Sequence, residues 1–181
     1  MEDKITTLHC QCGNVCLGVE RRPIISAECL CKDCQTAGAL LQSLPDAPKM
    51  LDQNSATRFV LYRKDRVRCI KGQESLREYR LNPESKTRRV IATCCNTPVF
   101  LDFTNGHWLS MYGGLWPQKN LPPLEIRTMT RDCPKGVVLS DDVPNPKTHT
   151  GMFYFKLLSS WAAMGFKSPK VNYVNGSIQI P

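Results

Sequence analysis

Cys29-Leu30-Cys31-Lys32-Asp33-Cys34 gathers three thiols into six residues, with a short-spaced pair upstream at Cys10-Gln11-Cys12 and a vicinal pair downstream at Cys94-Cys95. These seven cysteines read as ligands of bound metal. A tetrahedral zinc at ~2.3 Å from each sulfur holds two sulfurs roughly 3.7 Å apart, which cysteines one to three residues apart reach after a tight turn. A disulfide asks for Cα atoms ~5.5–6 Å apart and a particular torsion, which neighbouring cysteines meet poorly. Bridges between distant clusters would meet that geometry, so the competing reading is a secreted disulfide scaffold. The opening Met1-Glu2-Asp3-Lys4 lacks the basic-then-apolar profile that should accompany one.

At 181 residues, 41% of them hydrophobic, the chain is long enough to bury a core of its own and is expected to form one domain over 1–181. No apolar run approaches the ~20 residues that span a bilayer. The expectation is a soluble cytoplasmic protein, with no membrane partner and with its thiols reduced. The formal charge is +8 with every cysteine neutral; seven thiolates and two zinc ions together would subtract three and leave +5. The excess is local, because Arg58 to Arg89 holds eleven Lys or Arg against four Asp or Glu. Such a segment suits nucleic acid, an acidic partner or an anionic small molecule, or is simply a solvated face; its cations are spread through strand-like text and not stacked on a helix.

Val15, Leu17 and Val19 alternate along a strand over 14–20, with Cys16 turned to the other side as a small buried residue. After the triple-cysteine stretch, Gln35 to Leu41 suggests a short helical turn, followed by a Pro-containing loop to about Thr57. Strands follow at Phe59–Tyr62, Val67–Ile70, Leu76–Leu81, Arg89–Ala92, Val99–Phe103 and Trp108–Tyr112, with one more at Leu124–Met129, each short and set off by Gly, Pro or Asn. Arg131 to Thr150 is polar and Pro-rich, a surface excursion. Tyr154, Leu157, Leu158, Trp161 and Ala162 then mark the apolar stripe of a core-packing amphipathic helix. The fold class is therefore mainly β, with antiparallel sheets organised around zinc sites and a C-terminal amphipathic helix.

Cys10-x-Cys12-Gly13, then Cys29-x-Cys31-x-x-Cys34-x-x-x-Gly38-Ala39, then Cys95-Asn96-Thr97-Pro98-Val99-Phe100, resembles in order and spacing the glutathione-dependent formaldehyde-activating enzyme family, the CENP-V/GFA domain. The resemblance covers a core of roughly 8–112 and leaves 113–181 as an extension; the Cys-Cys-Asn-Thr-Pro spelling looks closer to an uncharacterised branch. It implies a complex β fold with two zinc sites: Cys10, Cys12 and Cys95 in a closed structural site, and Cys29, Cys31 and Cys34 around a catalytic zinc with one open position. The family's late motif is Cys-x-x-Cys-Gly, whereas here Ala92 stands where the first cysteine belongs and Asn96 replaces Gly. Asn tolerates the left-handed turn. Either Cys94 supplies the fourth thiolate, or the site is three-coordinate, borrows another ligand or stays empty. Adjacent side chains on extended backbone point to opposite faces, which counts against Cys94.

The activity the resemblance implies is condensation of formaldehyde with glutathione or the reverse cleavage, a carbon–sulfur lyase chemistry. A zinc held by three thiolates keeps a position in which a small-molecule thiol ionises near neutral pH, and three thiolates weaken its Lewis acidity toward water, so thiol activation is favoured over hydrolysis. No proton donor is marked: Asp33 suits a turn as well as catalysis, and His9, His107 and His149 each suit structural or solvated roles. Arg88 and Arg89 are candidates for glutathione carboxylates or plain solvated strand residues. Cys69 and Cys133 read as isolated thiols. The competing class is a non-catalytic zinc-stabilised module contacting nucleic acid or a protein through the basic segment, although the text offers no major-groove helix and no basic-aromatic RNA signature. Redox sensing through Cys94-Cys95 is a third reading.

Overall fold

The computed structural model describes residues 5–180. Ten strands form two sheets. The smaller contains β1 (Ile5–His9), β2 (Cys16–Glu20) and β5 (Val67–Lys71), in the order β1-β2-β5. The larger contains β3 (Ile25–Cys29), β4 (Thr57–Arg63), β6 (Leu76–Tyr79), β7 (Thr87–Ala92), β8 (Thr97–Phe103), β9 (Trp108–Tyr112) and β10 (Ile126–Thr128), in the order β10-β3-β4-β9-β8-β7-β6. Every pairing is antiparallel except that of β10 with β3, which is parallel. The mainly β expectation holds, with that one departure at the sheet's edge.

The large sheet is buried on both faces, and β4 shows how. Val60 and Tyr62 turn toward a core shared with Leu8, Leu17 and Val19 of the small sheet. Phe59 and Leu61 turn the other way, toward Ala27, Leu101, Ile126, Phe153 and Leu157. This period-two division makes Phe59-Val60-Leu61-Tyr62 an unbroken apolar run. Phe100 and Leu101 split between the two cores in the same manner.

Two helices complete the fold. α1 (Lys32–Gln42) is a full helix and not the short turn expected over 35–41, and it begins inside the cysteine motif. Cys34, Ala37, Gly38 and Leu41 form its buried stripe. A Cβ on Gly38 would press into the Leu51 side chain, which glycine lets pack closely against the helix. α2 (Gly151–Ala162) starts at Thr150, whose hydroxyl accepts the N–H of Phe153 at 3.2 Å. Its buried residues are Phe153 and Leu157, while Tyr154 and Leu158 are more than half exposed. The stripe through Tyr154 and Leu158 was thus placed on the wrong side of the helix; Trp161, half-buried against His107, bounds the buried side.

The extension beyond residue 112 is more than a surface excursion. Arg127, buried on β10, gathers Glu28 at 2.8 Å, Asp142 at 2.7 Å and the Ser140 carbonyl at 3.1 Å, which pins the irregular 131–150 segment against the sheet edge. Val171, Tyr173 and Val174 pack on the first core. Among the described residues no helix is long and apolar enough to cross a membrane. The basic segment is neither a free patch nor a merely solvated face. Lys64 and Asp102 form a buried pair at 2.7 Å, Arg88 holds both Asp102 at 2.9 Å and Glu78 at 3.0 Å, and Arg80 and Arg68 pair with Glu78 and Glu20.

Candidate metal centres

All ten cysteines are free thiols, and seven of them collect into two clusters. The first joins two chain reversals. Between β1 and β2, Gly13 at φ +76° donates its N–H to the Cys10 carbonyl at 2.9 Å, a tight turn that sets the Cys10 and Cys12 sulfurs 3.6 Å apart. Between β7 and β8, the Cys95 N–H reaches the Ala92 carbonyl at 3.2 Å, and Asn96 takes φ +50°. The Thr97 hydroxyl ties the reversals together by accepting the Gln11 N–H at 3.1 Å.

Cys94 lies in that second turn, not on extended backbone, so the alternation argument against it does not apply. Its sulfur is 3.8 Å from Cys10, 3.4 Å from Cys12 and 4.0 Å from Cys95, and all four sulfurs lie within 4.8 Å of one another. Tetrahedral zinc asks for ~3.7 Å. The donor set fits the ion. Four thiolates this close repel strongly without a cation, and burial, together with hydrogen bonds to the neighbouring thiols, pushes the Cys10 and Cys94 thiols up. Burial also opposes ionisation of Cys95, but the Thr97 hydroxyl at 3.1 Å and the Cys12 N–H outweigh it and bring that thiol down to about 6. The Val15 N–H points at the Cys10 sulfur at 3.2 Å, a further donor for a thiolate.

The second cluster sits where a strand becomes a helix. Cys29 ends β3, Leu30 is fully buried, Cys31 caps α1 and Cys34 stands in its first turn; the three sulfurs lie within 4.8 Å of one another. The Cys34 and Gln35 N–H groups both reach the Cys31 carbonyl, at 3.0 and 3.1 Å, so the positive end of an eleven-residue helix faces the thiols. Hydrogen bonds from Cys29 and Cys34 bring Cys31 down to about 2, while the hydrogen bond to Cys31, with burial, pushes Cys29 up to about 11, and Cys34 rises by the same sharing. Arg89 adds to the lowering at Cys31.

Arg89, which the sequence offered as a carboxylate receptor or a solvated strand residue, lies buried beside the triad. It is 2% exposed, and its guanidinium donates to the Asp33 carbonyl at 3.3 Å beside the triad. Three thiolates with one divalent ion sum to −1, and a buried guanidinium balances that charge. The flanking Val90-Ile91-Ala92, all fully buried, was the available signal that Arg89 does not face solvent. Arg88 is held by Glu78, Asp102 and the Val171 carbonyl, so neither arginine is an open carboxylate receptor.

The triad opens onto a cavity of about 680 Å³ whose walls include Phe59, Leu101, Phe103, Trp108, Phe153 and Leu157. His149, half-buried, also lines it, with its ring 4.6 Å from Phe153; burial holds its pKa below the ordinary histidine value, and the nearby Cys31 thiolate offsets that only in part. The other histidines are elsewhere. His107 bonds the Ser160 hydroxyl at 2.9 Å and stacks on Trp161, and His9 lies 4.0 Å from the Cys16 sulfur. Asp33 is exposed at the cavity mouth. Cys69 and Cys133 belong to neither cluster.

No protein-family model matches the chain, and no curated protein matches it. Among solved structures, the crystal structure of a Rhodobacter sphaeroides protein is similar at 15% identity and a TM-score of 0.46, over 78% of this chain and 100% of that one. A likeness that distant carries no argument about the site.

Proposed function

We propose that the protein binds two zinc ions, one closed off by Cys10, Cys12, Cys94 and Cys95 and one held by Cys29, Cys31 and Cys34, and that the second centre activates a small-molecule thiol for addition to an aldehyde, or for the reverse carbon–sulfur cleavage. The observation that carries the reading is that a cluster of three thiols, not four, lines the wall of a cavity large enough for a small molecule. When bound, zinc supplies a positive charge that lowers the pKa of a thiol brought beside it. The motif resemblance to the formaldehyde-activating family names the same chemistry and glutathione as the thiol.

The chain's own residues do the rest. Cys29, Cys31 and Cys34 would hold the ion on the cavity wall, where a thiol brought beside it would ionise, and the apolar walls exclude water from that place. Arg89 holds the local charge near neutral from below. His149 on the cavity wall takes the thiol's proton as the sulfur ionises; the thiolate sulfur donates its electron pair to the carbonyl carbon, the carbonyl π pair moves to oxygen, and His149 returns the proton to that oxygen, the reverse cleavage running the same steps backwards. The binding-module alternative has weaker support, because Lys64, Arg68, Arg80 and Arg88 are engaged with acidic partners in the same fold.

Serine at Cys31 tests the proposal. The expected result is loss of about half the bound zinc and of thiol–aldehyde turnover by ~100-fold or more. Unchanged zinc content and turnover would reject it.

A further inference from the structure

We infer that the cavity beside Cys29, Cys31 and Cys34 takes an apolar thiol, with an aromatic or branched aliphatic body, in preference to a multiply charged thiol of the glutathione class. The inference rests on the thiol-activation reading above and names its substrate class. The cavity walls are built from both sides of the chain: Phe59, Leu101, Phe103 and Trp108 come from the sheet, while Phe153 and Leu157 come from α2 in the extension. The residues beyond 112 therefore roof the triad with apolar surface.

The charges at this site are few and balanced. Lys32, Asp33, Arg131 and Asp132 are the ionised side chains of the wall, two of each sign, with Arg131 3.9 Å from Asp132. A glutathione-like thiol brings two carboxylates and an ammonium, for which the wall offers only these four side chains, while its predominantly apolar surface would strip them of water. Arg88, Arg89 and Arg127 are already bonded within the fold, which leaves Lys32 and Arg131 as the cations of the wall. At the same time Phe103 is 38% exposed and Tyr154 58% exposed at the cavity, apolar surface that an apolar guest would cover. A volume of about 680 Å³ is several times that of formaldehyde or a small alkyl thiol and suits a ring-bearing molecule.

The test uses the full chain loaded with cobalt(II), whose visible absorption changes when a thiolate enters its coordination. Phenylmethanethiol and glutathione are titrated separately, into the parent protein and into Phe103→Arg and Tyr154→Lys, both at partly exposed positions that tolerate a polar side chain. Phenylmethanethiol is expected to half-saturate at a concentration at least ~10-fold lower than glutathione, and each variant to cut that preference by about tenfold. Glutathione half-saturating at an equal or lower concentration, or variants that weaken both thiols alike, would overturn the substrate class and leave thiol activation standing. A cobalt spectrum that neither thiol alters would bring down thiol activation itself, and this inference with it.

Discussion

The two cysteine clusters are built from the same atoms by opposite means. Cys10, Cys12, Cys94 and Cys95 come from two chain reversals stitched together by Thr97, and their sulfurs surround a point at tetrahedral spacing. Cys29, Cys31 and Cys34 come from one strand-to-helix junction and stand on the wall of a cavity. The first arrangement joins distant parts of the chain, the geometry on which its proposed folding role rests. The second gathers three thiols beside apolar walls and one histidine, the geometry on which its proposed chemical role rests. The difference means that how many chain segments meet at a cysteine cluster, and what surface it faces, decides which task to test it for.

The largest expected effect separates the two roles directly. Cys10→Ser should lower the unfolding free energy by more than ~3 kcal/mol in urea titrations, because losing that ion unties two reversals, while Cys31→Ser should cost ~1 kcal/mol or less. Equal losses would erase the distinction. His149→Gln should reduce thiol–aldehyde turnover by about 100-fold with zinc content unchanged, as loss of a positioned proton donor does; a variant as fast as the parent would move the proton elsewhere. Arg89→Met should weaken metal at the triad alone by about 10- to 100-fold in chelator competition, since it removes a charge just behind the ligands. If both centres weakened equally, Arg89 would be a general structural residue. The smallest effect is expected for Thr97→Val, which leaves the Gln11 N–H and the Cys95 sulfur without their partner and should cost about 1–2 kcal/mol at the closed centre while sparing turnover.

Much of this was legible before any coordinates. The strands from Phe59 onward announced themselves through β-branched and aromatic runs bounded by turn residues, and the cysteine spacings picked out the seven thiols that gather into two clusters, although only the family resemblance joined the first pair to the last. Ile25 to Cys29 was not read as a strand, because Ile-Ser-Ala-Glu-Cys has little intrinsic strand preference; it is made extended by its pairing with β4, from Ile25 opposite Leu61 to Cys29 opposite Thr57. α1 was underestimated because its first turn is written in cysteines, lysine and aspartate, and its buried side includes a glycine. α2 was correctly placed, but Met152, Phe153, Tyr154, Phe155, Leu157 and Leu158 are apolar all round, so periodicity alone could not choose between faces. The alternation argument against Cys94 treats a hairpin turn as strand, and the solvated reading of Arg89 overlooks that the sheet is buried on both sides.

Anomalous diffraction at the zinc edge tests the central claim most directly. The account predicts two peaks: one bonded to the four sulfurs of Cys10, Cys12, Cys94 and Cys95, and one bonded to those of Cys29, Cys31 and Cys34 with its fourth ligand drawn from the cavity and not from the chain. A second peak capped by a fourth side chain, or no metal among those three sulfurs, would contradict it.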